Sequence, residues 1–387
     1  MWMKVEATYT AVTPVFCVGA DETSAEVRLP SFKGVLRFWW RALAWSKYGG
    51  DLNTIAKQED HIFGSTSTGQ SRLLMRLASV EQPKVLGIKE QLVTDRGVVV
   101  GEGCRYLGYG LMSTKNKTKV GQLNKPCVVA PYHFTVSFLC RDLDDESVEL
   151  VCDALKALGT FGGIGARTRR GYGSLALSDL WVENESVWQA ASSMDRLKEN
   201  IAYLLRKYSS PALPEYTALS RFSRCMVLQA KTATPLESLN TIGREMIRYR
   251  SYGRKESYPE RIAFDLPQNY YFSSDKFSPD RDKSKSARVT PAMKSLDRRA
   301  SPLFIHIHSL DSANTRCAIV LTFLPARFLP PARPSRKAAV MVDGFRVDLQ
   351  TEDELYEPIH RFFKRLLDSN SHTGRKEPIL VAEEIRI

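Results

Sequence analysis

The feature that most limits how this chain can fold is GTFGGIGARTRRGYGS, residues 159–174, set between a helix pattern and a strand pattern. Glycines stand at 159, 162, 163, 165, 171 and 173, with Arg167, Arg169 and Arg170 among them. Glycine accepts positive φ and lets a backbone come close to another group. Exposed N–H groups in such a loop can cradle a phosphate, and arginine adds forked donors that match its oxygens. Tyr172 is expected to offer a ring face on which a base stacks. Loops of the Walker and dinucleotide types run from strand to helix, whereas this one runs from helix to strand and lacks a Lys-Ser/Thr ending. The expectation is a loop that grips an RNA backbone, with Gly162, Gly163, Gly165, Arg167, Arg169, Arg170 and Tyr172 as its contacts.

The elements around the loop set a fold class. Residues 2–12 alternate apolar and polar side chains as a strand does, and 31–48 read as a helix with Ser31 as its N-cap and Gly49-Gly50 as its stop. Strands are expected at 72–80, 94–100 and 132–140, and DDESVELVCDALKALG gives a helix that Gly159 ends. A strand near 174–182 follows the loop. That succession is the split βαβ, ferredoxin-like (RRM-like) order, and it recurs from residue 223 onward. A chain of 387 residues exceeds one ordinary core. The reading is an α+β protein of two tandem ferredoxin-like domains, residues 1–185 and 223–387. A helical linker, 186–222, joins them. Loop insertions at 101–130 and 250–300 read as polar, exposed and mobile.

Charge points toward a polyanion. Lys and Arg number 55 against 43 Asp and Glu, a formal charge of +12, and a field of that sign favours nucleic acid. In the first helix Phe32, Val35, Leu36, Trp39 and Leu43 form an apolar stripe. Lys33, Arg37 and Arg41 step along an adjacent face with Trp40 beside them, and no acid within the helix pairs with them. That stripe is expected to extend the RNA track. The seven cysteines are scattered without a C-x-x-C pair, which gives neither a zinc site nor a disulfide framework. No cofactor or metal is expected. No apolar run is long enough to span a bilayer, and a cytoplasmic protein is expected.

Six histidines offer general-base chemistry in principle. His133 reads as a core histidine, and His306 with His308 as a structural pair on one strand face; His360 and His372 complete the set of candidates. His61 in EDHIFGS is the one placed near the basic helix. Asp21 and Glu22 read as a polar loop that fixes its own turn. No catalytic residue is therefore assigned.

TPVFCVGADETSAEVRLPSFKGVLRFWWRAL together with FGGIGARTRRGYGS resembles the RAMP superfamily of CRISPR-associated proteins, and within it the family of first RAMP subunits of the type III-B (Cmr) effector. RRASPLFIHIHSL (298–310) and LTFLPARFLP (321–330) are similar to that family's second-half strands. The resemblance implies tandem ferredoxin-like domains and membership of an RNA-guided antiviral complex. It implies guide RNA, target RNA, other RAMP subunits and small helical subunits as partners, with no catalysis by this subunit. The expected function is thus non-catalytic binding of guide and target RNA. Its rivals are a metal-independent endoribonuclease for guide precursors, with His61 as base, and a scaffold whose basic loops bind protein partners.

Overall fold

The computed structural model describes the chain apart from residues 1, 20–21, 115–118, 232–233, 252–258, 272–285, 294, 331–337, 350, 369–378 and 386–387. Its first half runs β1 (Trp2–Ala11), α1 (Leu29–Lys47), α2 (Leu52–Phe63), β2 (Leu73–Val80), β3 (Val85–Leu86) and α3 (Glu102–Leu107). It continues through β4 (Cys127–Val128), β5 (Tyr132–Arg141), α4 (Asp145–Phe161), β6 (Leu175–Val182), β7 (Glu185–Gln189) and α5 (Met194–Lys207). The second half holds β8 (Arg224–Ala230), α6 (Pro235–Ser251), α7 (Pro259–Ile262), β9 (Gln268–Tyr271), β10 (Ser286–Pro291) and β11 (Leu303–Ser309). After it come β12 (Cys317–Phe323), β13 (Ala339–Val342), β14 (Phe345–Asp348), α8 (Glu352–Leu367) and β15 (Ile379–Ile385).

The fold is mixed α and β on antiparallel sheets. In the first sheet the order is β2-β5-β1-β6-β7, so β1 lies between β5 and β6. Ala7 is opposite Val136 on one side and Leu180 on the other. The period of two sends Val5, Ala7 and Tyr9 to one face, where they are fully buried. There Tyr9 meets Phe32 of α1 edge-on at 5.6 Å and donates its hydroxyl to the Leu155 carbonyl of α4 at 2.9 Å. One strand residue thus fastens both helices. In the second half the order is β11-β12-β8-β15, again with the first strand inside.

Several local expectations change. Helix α1 begins at Leu29 with Arg28 as its N-cap, and Pro30, rather than Ser31, shapes its first turn. Gly159 does not end α4; the helix continues to Phe161, and a Cβ at 159 would stand 2.4 Å from the Leu177 side chain. No strand forms over 94–100, where Val99 makes only an isolated bridge to Val93. β7 extends the first sheet at 185–189, where the pattern predicts the start of a helix.

Neither insertion is a free loop where the structure describes it. Within 250–300, β9 and β10 join β13 and β14 in a four-stranded sheet, and Phe264, Leu266 and Val289 are buried. Within 101–130, α3 packs on α6. Small residues make this approach possible: a Cβ on Gly103 would lie 2.1 Å from the Asn240 carbonyl oxygen, and one on Gly243 would lie 2.4 Å from the Gly103 carbonyl oxygen. The Gly103 N–H donates to the Asn240 side chain at 2.9 Å. Among the described residues no helix is long and apolar enough to cross a membrane.

Gly103→Ala should therefore cost about 2 kcal/mol or more, the scale of overpacking a tight contact. Chemical denaturation measures it, and a Gly34→Ala control, whose Cβ meets nothing within 4 Å, should lose no stability.

Candidate nucleic-acid interface at the seam between the halves

The stretch after α4 folds into a tight double-backed loop. Ile164 N–H donates to the Gly173 carbonyl at 2.9 Å, Ala166 N–H to the Phe16 carbonyl at 2.8 Å, and Gly173 N–H to the Pro14 carbonyl at 2.9 Å. Gly165 and Gly173 need glycine: both have positive φ, and a Cβ would come 2.6 Å from the Phe16 carbonyl oxygen or 2.0 Å from that of Ile164. Side chains lock the same turn. Thr13 Oγ1 donates to the Gly171 carbonyl at 2.7 Å, and the Ser174 hydroxyl accepts the Ile307 N–H at 3.1 Å. The loop thus joins the end of β1 to strand β11 of the other half.

This overturns part of the expected site. The Gly162, Gly171 and Gly173 N–H groups are given to the carbonyls of Leu158, Thr168 and Pro14, so they form no phosphate cradle. Gly162 and Gly163 are buried against Trp39 and Gly173. Tyr172 is fully buried, edge-on to Phe16 at 5.5 Å, with its hydroxyl on the Cys104 carbonyl at 2.9 Å. It has no free face for a base.

The three arginines divide. Arg169 is enclosed: its guanidinium carbon lies 5.2 Å from the Phe38 ring and 4.6 Å from the Phe304 ring, and Nη1 donates to the Ser301 carbonyl. Burial, then the nearby Arg299 charge, pulls its pKa down to about 10, so it remains a cation at neutral pH. Arg170 pairs with the Asp265 carboxylate. Arg167 alone is exposed. It takes φ +64°, and its Nε and Nη2 both donate to the Tyr109 carbonyl, at 3.0 and 2.7 Å. This fork presents Tyr109, which is 67% exposed. Tyr109 is not among the residues the sequence marks, because only folding brings 109 and 167 to one lip. The signal available was an aromatic within the glycine-rich GYG of 108–110.

The basic stripe of α1 is spent internally. Arg37 and Arg41 both bind Glu59 of α2, at 2.8 and 2.6 Å, and Lys33 donates to the Phe63 carbonyl at 2.7 Å. Burial, then the Arg37 charge, lowers the Lys33 pKa. Trp40 is fully buried against Phe63 and Tyr48. The stripe therefore staples α2 onto α1, and the missing acid lies eighteen residues past Arg41.

None of the described histidines stands at the lip. His61, exposed at the end of α2, has Arg72 Nη1 at 2.9 and 2.8 Å from its two ring nitrogens, and burial and then that cation lower its pKa. His133 faces Thr10 at 2.9 Å, and His360 faces Arg224 at 2.6 Å. His306 and His308 are buried and 3.2 Å apart, and His306 Nδ1 lies 2.8 Å from the Gly162 carbonyl. Asp21 and His372 lie outside the described residues. No group of three metal-ligating side chains occurs among the described residues.

The chain is 32% identical over 177 residues to the CRISPR system Cmr subunit Cmr1-2 of Pyrococcus furiosus, 44% of this chain and 92% of that relative. The RAMP superfamily model matches residues 8–176. The chain belongs to the RAMP superfamily. Within it, the similarity to Cmr1 proteins reaches both halves: Cmr1-1 of the same organism is 28% identical over 326 residues, 80% of this chain and 83% of that relative. Among solved structures, Cmr1 from Pyrococcus furiosus aligns with a TM-score of 0.54 at 22% identity, covering 92% of this chain and 96% of that one. A chain of the type III-B Cmr-beta bound to cognate target RNA aligns at 0.50 and 13% identity, covering 94% of this RAMP protein and all of its own length. These last two likenesses establish the fold.

The histidine pair makes the seam acid-sensitive. Burial, then the His308 charge, depresses His306 to about 3, and burial depresses His308 to about 4. In the unfolded chain both titrate near the usual 6.5 or so. The unfolded state then binds more protons between those values, so stability is full above about pH 6.5 and falls as the pH drops toward 4. The expected loss at pH 5 is roughly 2 kcal/mol per ring. Urea midpoints at pH 7.5 and 5 should show it, and His308→Gln should flatten the slope.

Proposed function

We propose that this chain is a non-catalytic RNA-binding subunit of a type III-B CRISPR ribonucleoprotein effector, holding guide or target RNA by its backbone in antiviral defence. Its partners on this reading are those RNAs, other RAMP subunits and small helical subunits. The strand order, with β1 and β8 each inside their sheets, supports two tandem ferredoxin-like units, 1–185 and 223–387, around the stretch 186–222.

The observation that carries the proposal is the lip formed by Tyr109 and Arg167. An exposed tyrosine ring stands beside an exposed arginine held rigid by two hydrogen bonds to that tyrosine's own carbonyl. A ring face with an adjacent cation suits a single strand, in which a base stacks and the neighbouring phosphate meets a guanidinium. Holding Arg167 in place before RNA arrives lowers the ordering cost of that contact. Arg169 and Arg170 fix the loop that carries Arg167, and Lys33, Arg37 and Arg41 hold α2 on α1. Their contribution to RNA is the field of a +12 chain.

Filter binding of single-stranded RNA tests this. Tyr109→Ala with Arg167→Ala should weaken binding about tenfold or more, the scale of one lost stacking contact and one lost phosphate contact. The melting temperature should stay near the parent value. Arg169→Ala should instead lower stability. Unchanged RNA affinity in the Tyr109/Arg167 variant would remove the lip from the site, and RNA products formed by the purified chain in EDTA would contradict the absence of catalysis.

A further inference from the structure

At the opposite end of β6 from the glycine-rich loop, a groove of about 590 Å³ opens between α4 and the β6–β7 hairpin. Its floor is apolar, made by Met3, Val148, Val182 and Val187. Its rim is acidic, made by Asp145, Glu149, Glu183 and Glu185. In a chain of net charge +12 this is a local inversion of sign.

Lysines offset it only in part, at Glu149, although Lys156 itself lines the groove. Lys156 is committed to the buried Asp153 at 2.9 Å, and Lys207 is shared between Asp153 and Glu149 at 2.7 and 2.5 Å. Glu183 accepts the backbone N–H of Lys4, at 2.6 Å, which leaves its charge in place. Asp145, Glu183 and Glu185 form no ion pair among the described residues. The position matters as well. β7 is an edge strand, exposed along most of its length. Edge strands left open in this way are usually covered by another element or chain.

We propose that this groove docks a Lys/Arg-rich amphipathic segment of a neighbouring protein subunit, its apolar residues on the valine floor and its cations on the rim. Charge decides between the two macromolecules within reach: the carboxylates of Asp145, Glu183 and Glu185, which no lysine or arginine pairs among the described residues, repel a phosphate backbone and attract a basic peptide. The basic lip and the acidic groove then face different partners from opposite ends of the same strand. That the segment belongs to a neighbouring subunit rests on the proposed membership of an effector complex; binding of a basic segment does not.

The test uses the full chain and a fluorescent helical peptide of leucine and lysine. Wild type should bind it despite the net repulsion between two cations. The Asp145→Lys, Glu183→Lys, Glu185→Lys triple variant should bind at least tenfold more weakly, while its single-stranded RNA affinity stays equal or rises. Within the reconstituted effector, a photo-crosslinker at Val187 should label a basic protein segment. Peptide binding that survives charge reversal, absence of peptide binding to wild type, or a Val187 crosslink to RNA overturns the proposal. Loss of RNA binding in the Tyr109/Arg167 variant leaves both readouts where they are, so the two readings fail separately.

Discussion

Arg169 lies between Phe38 of α1 and Phe304 of β11, and the two halves of this RAMP protein are joined around that cation. A guanidinium so enclosed gives up much of its hydration, and two aromatic faces with one carbonyl restore part of it. The backbone repeats the connection: the Ile305 N–H donates to the Arg169 carbonyl at 3.1 Å. Everything at the lip depends on this anchor, since Arg167 and Arg170 are two and one residues away. A flexible loop could not hold Arg167 at φ +64°.

Around that anchor the seam is closed by short-range fits. Gly103 and Gly243 let α3 touch α6, which fixes where Tyr109 emerges. Tyr172, fully buried beneath, ties α3 to the loop through the Cys104 carbonyl. The histidine pair of β11 meets the loop at Gly162. Glycine in this motif serves protein against protein: its missing Cβ makes room for Phe16 and Ile164, not for a phosphate. The acidic groove lies outside this fastening.

Much of the frame was legible from periodicity. β1, β5, α4 and β6 stand close to where alternation and helical spacing put them, because each buries one face against its immediate layer. The glycine-rich loop was legible as special, but not in its role. Spacing shows that a close approach occurs and does not say whether the approaching group is a phosphate or a carbonyl. Arg37 and Arg41 looked unpaired because Glu59 sits on the next helix. α3 read as a polar insertion because its apolar partner, α6, is about 137 residues further along. Tyr109 becomes a neighbour of Arg167 only through that long-range closure.

Amide hydrogen exchange across residues 162–174 and 303–309, without and with single-stranded RNA, tests the central claim most directly. If the loop is a fastener with a rigid outer lip, Ile164, Gly173 and Ile305 are already strongly protected in the free protein, and RNA adds protection mainly around Tyr109 and Arg167. If those three amides exchange freely until RNA is added, the loop is an RNA-ordered grip rather than a fastener between the halves.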